Sequence, residues 1–160
     1  MTEKIYIGFS RRKNNLFSRL IQFFEGTKYS HVYVRKQSKY GEYVYQASGL
    51  AVNFTNINTF KEHNEIIYEF EFEITPEQKD HLLRFFISYC GVKYSYRLLF
   101  ILSTISILRK FGIYTNFKNK YKNDFVCSTL GALIYQKILG LEIPENWHFI
   151  FPKDLYKWLS

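Results

Sequence analysis

Asp124-Phe-Val-Cys-Ser-Thr-Leu-Gly-Ala-Leu-Ile-Tyr135 is the stretch on which the reading of this chain turns. Asp124 suits a helix N-cap, and Phe125, Val126, Leu130, Leu133, Ile134 and Ile138 recur at helical spacing, which predicts an apolar helix with Cys127 in its first turn. First-turn N–H groups lack intrahelical acceptors and the helix end carries partial positive charge, so an anion is favoured there. A thiol in that position is expected to have its pKa drawn toward neutrality and to furnish a nucleophilic thiolate. Such a cysteine needs a base, and the rest of the chain is read for one.

The chain has 160 residues, 47% of them apolar and 20% aromatic, enough for one well-buried core and short for two, so residues 1–160 are expected to form a single domain. Its two cysteines make neither a disulfide framework nor a metal-ligand spacing, and no C-x-x-C or H-E-x-x-H is present, so free thiols and no metal or other cofactor are expected. The start, Met-Thr-Glu-Lys-Ile-Tyr-Ile-Gly-Phe9 and then Ser10-Arg-Arg-Lys13, is too brief and too charged for a signal peptide. Synthesis in the cytoplasm is expected, with release or export to the cell envelope left open. The net charge of +8 favours anionic partners such as a wall polymer or membrane head groups, and it equally serves to solubilise a very aromatic surface. No stacking motif or Gly-rich clamp accompanies the charge, so no specific nucleic-acid partner is predicted.

Working outward, Lys4 to Phe9 reads as a first strand, and Asn14 or Asn15 caps a helix whose Leu16, Phe17, Leu20, Ile21 and Phe24 share a face expected to pack on a sheet, with Gly26 as its stop. Ser30-His-Val-Tyr-Val-Arg35 and Glu42-Tyr-Val-Tyr-Gln-Ala47 form a predicted hairpin, Leu50 to Phe54 another strand, and the stretch through Asn56, Asn58, His63 and Asn64 is expected to be irregular. Ile66 to Ile74 alternates Tyr and Phe with Glu69, Glu71 and Glu73, a strand with one wet face. Thr75-Pro-Glu-Gln78 opens a helix to about Cys90, which is read as a core thiol. Leu98 to Leu108, bracketed by Arg97 and by Arg109-Lys110, is too short to span a bilayer and reads as a core helix in preference to a membrane-surface or substrate-lip helix. A closing helix with Pro152 near its start is predicted in the tail.

His31 lies on a strand face with Tyr33. If the hairpin closes about Ser38 and Lys39, opposed residue numbers sum to 77, which pairs His31 with Gln46 at a Cβ separation of about 5 Å. A polar side chain that fixes one ring nitrogen leaves the other for the thiol, the Cys-His-polar version of triad chemistry. A one-residue slip would put Gln46 on the wrong face. Each residue also has an ordinary reading: Cys127 as a buried small hydrophobe, His31 as a structural histidine, Gln46 as a surface residue.

These residues and their order resemble the circularly permuted NlpC/P60 branch of the papain-like fold, the group of the YiiX-like proteins and, more distantly, of the lecithin:retinol acyltransferase relatives. Thr27-Lys-Tyr-Ser-His-Val32 is similar to the family's histidine strand, Val44-Tyr-Gln-Ala-Ser-Gly49 to its "Val-Tyr-Glu-Ala" strand, Gly91-Val-Lys-Tyr94 to its "Gly-x-x-Tyr" turn, and Phe125-Val-Cys-Ser-Thr-Leu130 to its "Cys-Ser-Glu-Leu" helix. Phe151-Pro-Lys-Asp-Leu155 resembles its "Thr-Pro-x-Asp-Leu" end. The resemblance implies an α+β fold, an antiparallel half-barrel sheet packed against helices, and a thiol hydrolase or acyltransferase with Cys127 as nucleophile, His31 as base, Gln46 as orienter and Tyr94 lining the cleft. Gln46 stands where Glu is common in the family, and so does Thr129, to which no role is assigned. The expected substrate is a cell-wall peptide or amide. The alternatives are a lipid acyl group and a non-catalytic binding module.

Overall fold

The computed structural model describes residues 3–38, 40–113, 125–143 and 150–160. The expected cap Asp124, the lysines at 118, 120 and 122, and Trp147-His148 lie outside them. The elements run β1 (Glu3–Arg12), α1 (Leu16–Glu25), β2 (His31–Ser38), β3 (Gly41–Ser48), β4 (Ala51–Asn56), α2 (Ile57–His63), β5 (Asn64–Ile74), α3 (Pro76–Tyr89), α4 (Tyr96–Lys110), α5 (Cys127–Lys137) and α6 (Pro152–Leu159). The strands form one sheet in the order β4-β3-β2-β1-β5, every neighbouring pair antiparallel.

Alternation along the strands sorts the side chains onto two faces. Ile5, Ile7 and Phe9, Val32 and Val34, Tyr45 and Ala47, and Val52 turn to one face, where α3, α5 and α6 cover them with Leu82, Phe86, Leu130, Ile134 and Leu155. On the other face Tyr33 and Val44 pack with Ile57 and Phe60 of α2. The Tyr33 ring lies over Gly8, where a Cβ would come within 2.1 Å of it, so glycine is required there by close approach. The acidic face of β5 is paired rather than merely wet: Arg35 Nη2 meets Glu69 Oε2 at 2.7 Å, and Lys4 Nζ meets Glu71 Oε1 at 2.6 Å. The predicted start of α3 is present as a reciprocal cap, Gln78 N–H to Thr75 Oγ1 at 3.2 Å and Thr75 N–H to Gln78 Oε1 at 2.9 Å.

Four expectations are corrected. The irregular stretch after β4 contains α2, whose first turn is capped by Asn56 Oδ1 accepting from the Asn58 N–H at 2.9 Å. Cys90 is exposed, because the stripe of α3 that faces the core runs through Leu82, Phe85 and Phe86 and the chain leaves the helix at Cys90 itself. α4 is only half a core helix: Leu98, Leu102 and Ile105 are buried against Val126 and Phe151, while Tyr96, Phe100 and Ile107 are exposed. Nor does α1 lay its apolar face on the sheet. Its buried residues are Ser18 and Glu25, and its neighbour is α4.

Candidate active site

The site is assembled where the N-terminus of α5 meets β2. Gly131, one turn beyond Cys127, lies so close to Val32 and to Leu155 of α6 that a Cβ would approach either side chain to 2.8 Å. That contact seats the helix on the strand and brings Cys127 beside the Val32 backbone, which favours its thiolate. The first turn is closed from inside: the Val126 N–H donates to Thr129 Oγ1 at 2.9 Å, and the same hydroxyl donates to the Val126 carbonyl at 2.9 Å. Thr129, left without a role by the sequence, is thus the lock on the turn that carries Cys127. Ser128 adds a second tie, its hydroxyl donating to the Ile150 carbonyl at 2.7 Å.

His31 opens β2. Its Nε2 lies 2.7 Å from Gln46 Oε1. The expected partnership holds, by a different register: Ser38 opposes Gly41 and Val34 opposes Tyr45, so opposed numbers sum to 79 rather than 77. A slip of two residues keeps the parity of the faces, and Gln46 becomes a diagonal neighbour of His31, still in reach of two long side chains. The amide's orientation follows from the next residue along. Asn53 Nδ2 donates to the Ser48 and Ala51 carbonyls at 3.3 and 3.0 Å, so its Oδ1 is free to accept from Gln46 Nε2 at 3.4 Å. Gln46 then presents its carbonyl oxygen to the imidazole, Nε2 carries the hydrogen, and Nδ1 keeps its lone pair. This is the tautomer a base requires. Asn53 has no motif around it, and only the β3–β4 register, Gln46 opposite Asn53, reveals it.

Cys127 and His31 line one cleft of about 760 Å³, together with Gln46, Asn53 and Tyr94. Cys127 and Tyr94 also line a second cavity of about 360 Å³ between α1 and α4, whose walls are Ile21, Phe24, Leu99 and Leu102 with few polar groups. Cys127 therefore lines both a cleft of mixed polar and apolar character and a nearly wholly apolar pocket. Tyr94 is held there by its bridge to Phe125 and by its N–H donating to the Leu50 carbonyl at 3.0 Å.

The electrostatics correct the expected activated thiol. Burial pushes Cys127 up to about 11, and it outweighs the opposing pull of the Val32, Ser128 and Cys127 backbone groups; Glu25 also pushes it up. Burial likewise pushes His31 down to about 4, against the hydrogen bond to Gln46, which raises it, and with the Arg12 charge adding to the fall. The helix terminus acts in the expected direction and is outmatched by desolvation. Both shifts disfavour the charged pair, so the resting site holds a neutral thiol and a neutral imidazole. Among the described residues no hydrogen bond joins sulfur and ring, and His31 is engaged with Gln46.

A solved structure described as the metalloprotein YiiX from Escherichia coli O157:H7, DUF1105, superposes on this chain with a TM-score of 0.59, covering 91% of this chain and 69% of that one. The fold is YiiX-like. At 18% identity the likeness establishes the architecture alone. No family model matches the chain, and no curated protein sequence does. As to a metal, the described residues contain no group of three or more His, Cys, Asp and Glu side chains that converge. His31, His63 and Cys127 all line the cleft, but among the described residues they do not converge into a group of three that could hold a metal ion.

Proposed function

We propose that the protein is a thiol hydrolase or acyltransferase of the permuted NlpC/P60 type, acting on an ester or amide that joins an apolar acyl group to a polar one. The observation that carries this is the place of Cys127 in the lining of both the apolar α1/α4 cavity and the more polar cleft of His31 and Gln46. The acyl group occupies the first, the head or leaving group the second. Because the resting pair is neutral, proton transfer from Cys127 to His31 Nδ1 accompanies attack of sulfur on the carbonyl carbon. The backbone N–H groups at the start of α5 receive the developing oxyanion, and His31 returns the proton to the leaving group. Water or a second acceptor then releases the acyl group by the same steps in reverse.

A cell-wall peptide remains the second reading, favoured by the amide and hydroxyl side chains, Asn15, Asn53 and Thr59, among the lining of the larger cleft. Hydrolysis of a p-nitrophenyl ester series separates the two. Each methylene buried contributes up to about 0.8 kcal/mol, so the octanoate should exceed the acetate in kcat/KM by more than about tenfold. A flat series together with cleavage of wall peptides would replace the acyl reading by the peptide one. Full turnover by Cys127→Ser would remove both.

A further inference from the structure

α1 is sorted unusually. Its most buried side is polar: the Ser18 hydroxyl lies 2.6 Å from that of Ser30, Gln22 Nε2 donates to Ser18 Oγ at 3.0 Å, and Glu25 Oε2 accepts from the Lys153 N–H at 3.2 Å, while the half-buried Ile21 and Phe24 line the cavity shared with α4. Its outward side carries Leu16 (71% exposed), Phe17 (70%), Leu20 and Phe23 (68%), which recur at helical spacing on one surface. Water-facing phenylalanines on an ordered helix with a polar buried side reverse the usual sorting. The adjoining α4 continues the surface with Tyr96, Phe100 (74% exposed) and Ile107, and Phe111 and Ile113 extend it past the helix end. The two helices are joined by Lys110, whose Nζ donates to the Phe23 carbonyl at 2.8 Å and lies 4.1 Å from the centre of the Phe23 ring. Phe17, Leu20, Tyr96, Phe100 and Ile107 of this patch also line the apolar cavity, so patch and cavity are continuous.

The charges on this surface have one sign. Arg19, Arg109 and Lys110 are exposed on it, and between Leu16 and Glu25 and between Tyr96 and Lys110 the only acidic residue is Glu25, which is turned inward. Contiguous large apolar side chains rimmed by Arg and Lys fit an interface whose depth is hydrocarbon and whose plane is anionic. No helix among the described residues is long and apolar enough to cross a membrane, so the fit is to lying on the surface.

We propose that α1 and α4 dock the protein on an anionic lipid surface, with the cavity mouth facing the acyl layer. This goes beyond the chemistry proposed for Cys127 and is tested without it. The full chain carrying Cys127→Ala is sedimented with vesicles of phosphatidylcholine mixed with phosphatidylglycerol, and with phosphatidylcholine alone. Binding is expected to the mixed vesicles, weakened by high salt. Leu16→Ser with Phe23→Ser, two exposed positions that do not line the cavity, should reduce it by at least about tenfold, while far-UV circular dichroism and the melting temperature stay unchanged. Should that pair lower the melting temperature, Arg19→Glu on the same face is the second variant and should likewise cut binding to the anionic vesicles. Absence of binding to either vesicle, or binding that these variants leave unchanged, overturns the proposal. So does a concentration-dependent dimer of the parent chain in sedimentation equilibrium that the same variants dissociate, since a second copy is then what covers the patch.

Discussion

At the scale of single residues, the site is a set of side chains each fixed by another. Asn53 orients Gln46, and Gln46 fixes the protonated nitrogen of His31. Removing Gln46 as Ala leaves the ring free to change tautomer and should lower kcat by at least about tenfold with KM little altered. Gln46→Glu should restore turnover and move the acid limb of the pH–rate profile upward, because a carboxylate stabilises the imidazolium; a purely structural Gln46 would leave that limb in place. Ser10 stands opposite His31 in the β1–β2 ladder with a buried hydroxyl that has no partner among the described residues, and the structure gives no physical account of it. The places of Cys127 at a helix start and of His31 on a strand are legible in the sequence because each element has a short-range signature. Asn53 and the role of Thr129 are not, since both depend on hydrogen bonds that only the folded register creates.

At the scale of elements, the decisive packing is α5 on β2 through Gly131. Gly131→Ala gains about 1 kcal/mol of helix propensity and loses about 1–3 kcal/mol to overpacking against Val32 and Leu155. Crowding wins: thermal unfolding should show a net loss, and activity should fall further than stability because the displaced turn carries Cys127. The elements found in advance were those with a clean period, such as β2, β3, β5 and α3. α2 was missed because seven residues between two strands give too little periodicity, and Cys90 was misplaced because a helix end departs from the stripe that precedes it. The apolar face of α1 was recognised, yet its direction is a tertiary property: no local pattern says whether such a face meets a core or something outside the chain.

At the scale of the whole molecule, two titrating groups, the half-buried His31 and the buried Glu25, pull stability in opposite directions with pH. His31 sits at about 4 against an ordinary 6.5, so the unfolded chain binds more protons between those values and stability falls as pH drops through that window. Glu25 is raised to about 8, chiefly by burial in the apolar cavity wall and further by Asp154, with the Lys153 backbone and charge opposing. The folded form holds its proton while the unfolded form loses it, so stability falls as pH rises from about 4.5 to about 8. Glu25→Gln keeps an acceptor for the Lys153 N–H and should stabilise the protein by up to about 3 kcal/mol near pH 7, the gain vanishing near pH 4.5. Urea unfolding of both proteins across pH checks this, and an equal ΔΔG at both ends would contradict it.

The central claim, that the Cys127 sulfur attacks an acyl carbonyl, is tested most directly by mass spectrometry of the intact and digested protein after brief mixing with p-nitrophenyl octanoate. One octanoyl group should appear on the Cys127 peptide, be lost on further incubation, and be absent in Cys127→Ala and strongly reduced in His31→Ala. The exposed thiol of Cys90 serves as the internal control. Octanoylation confined to Cys90, or equal at both cysteines and unaffected by His31→Ala, would contradict the account.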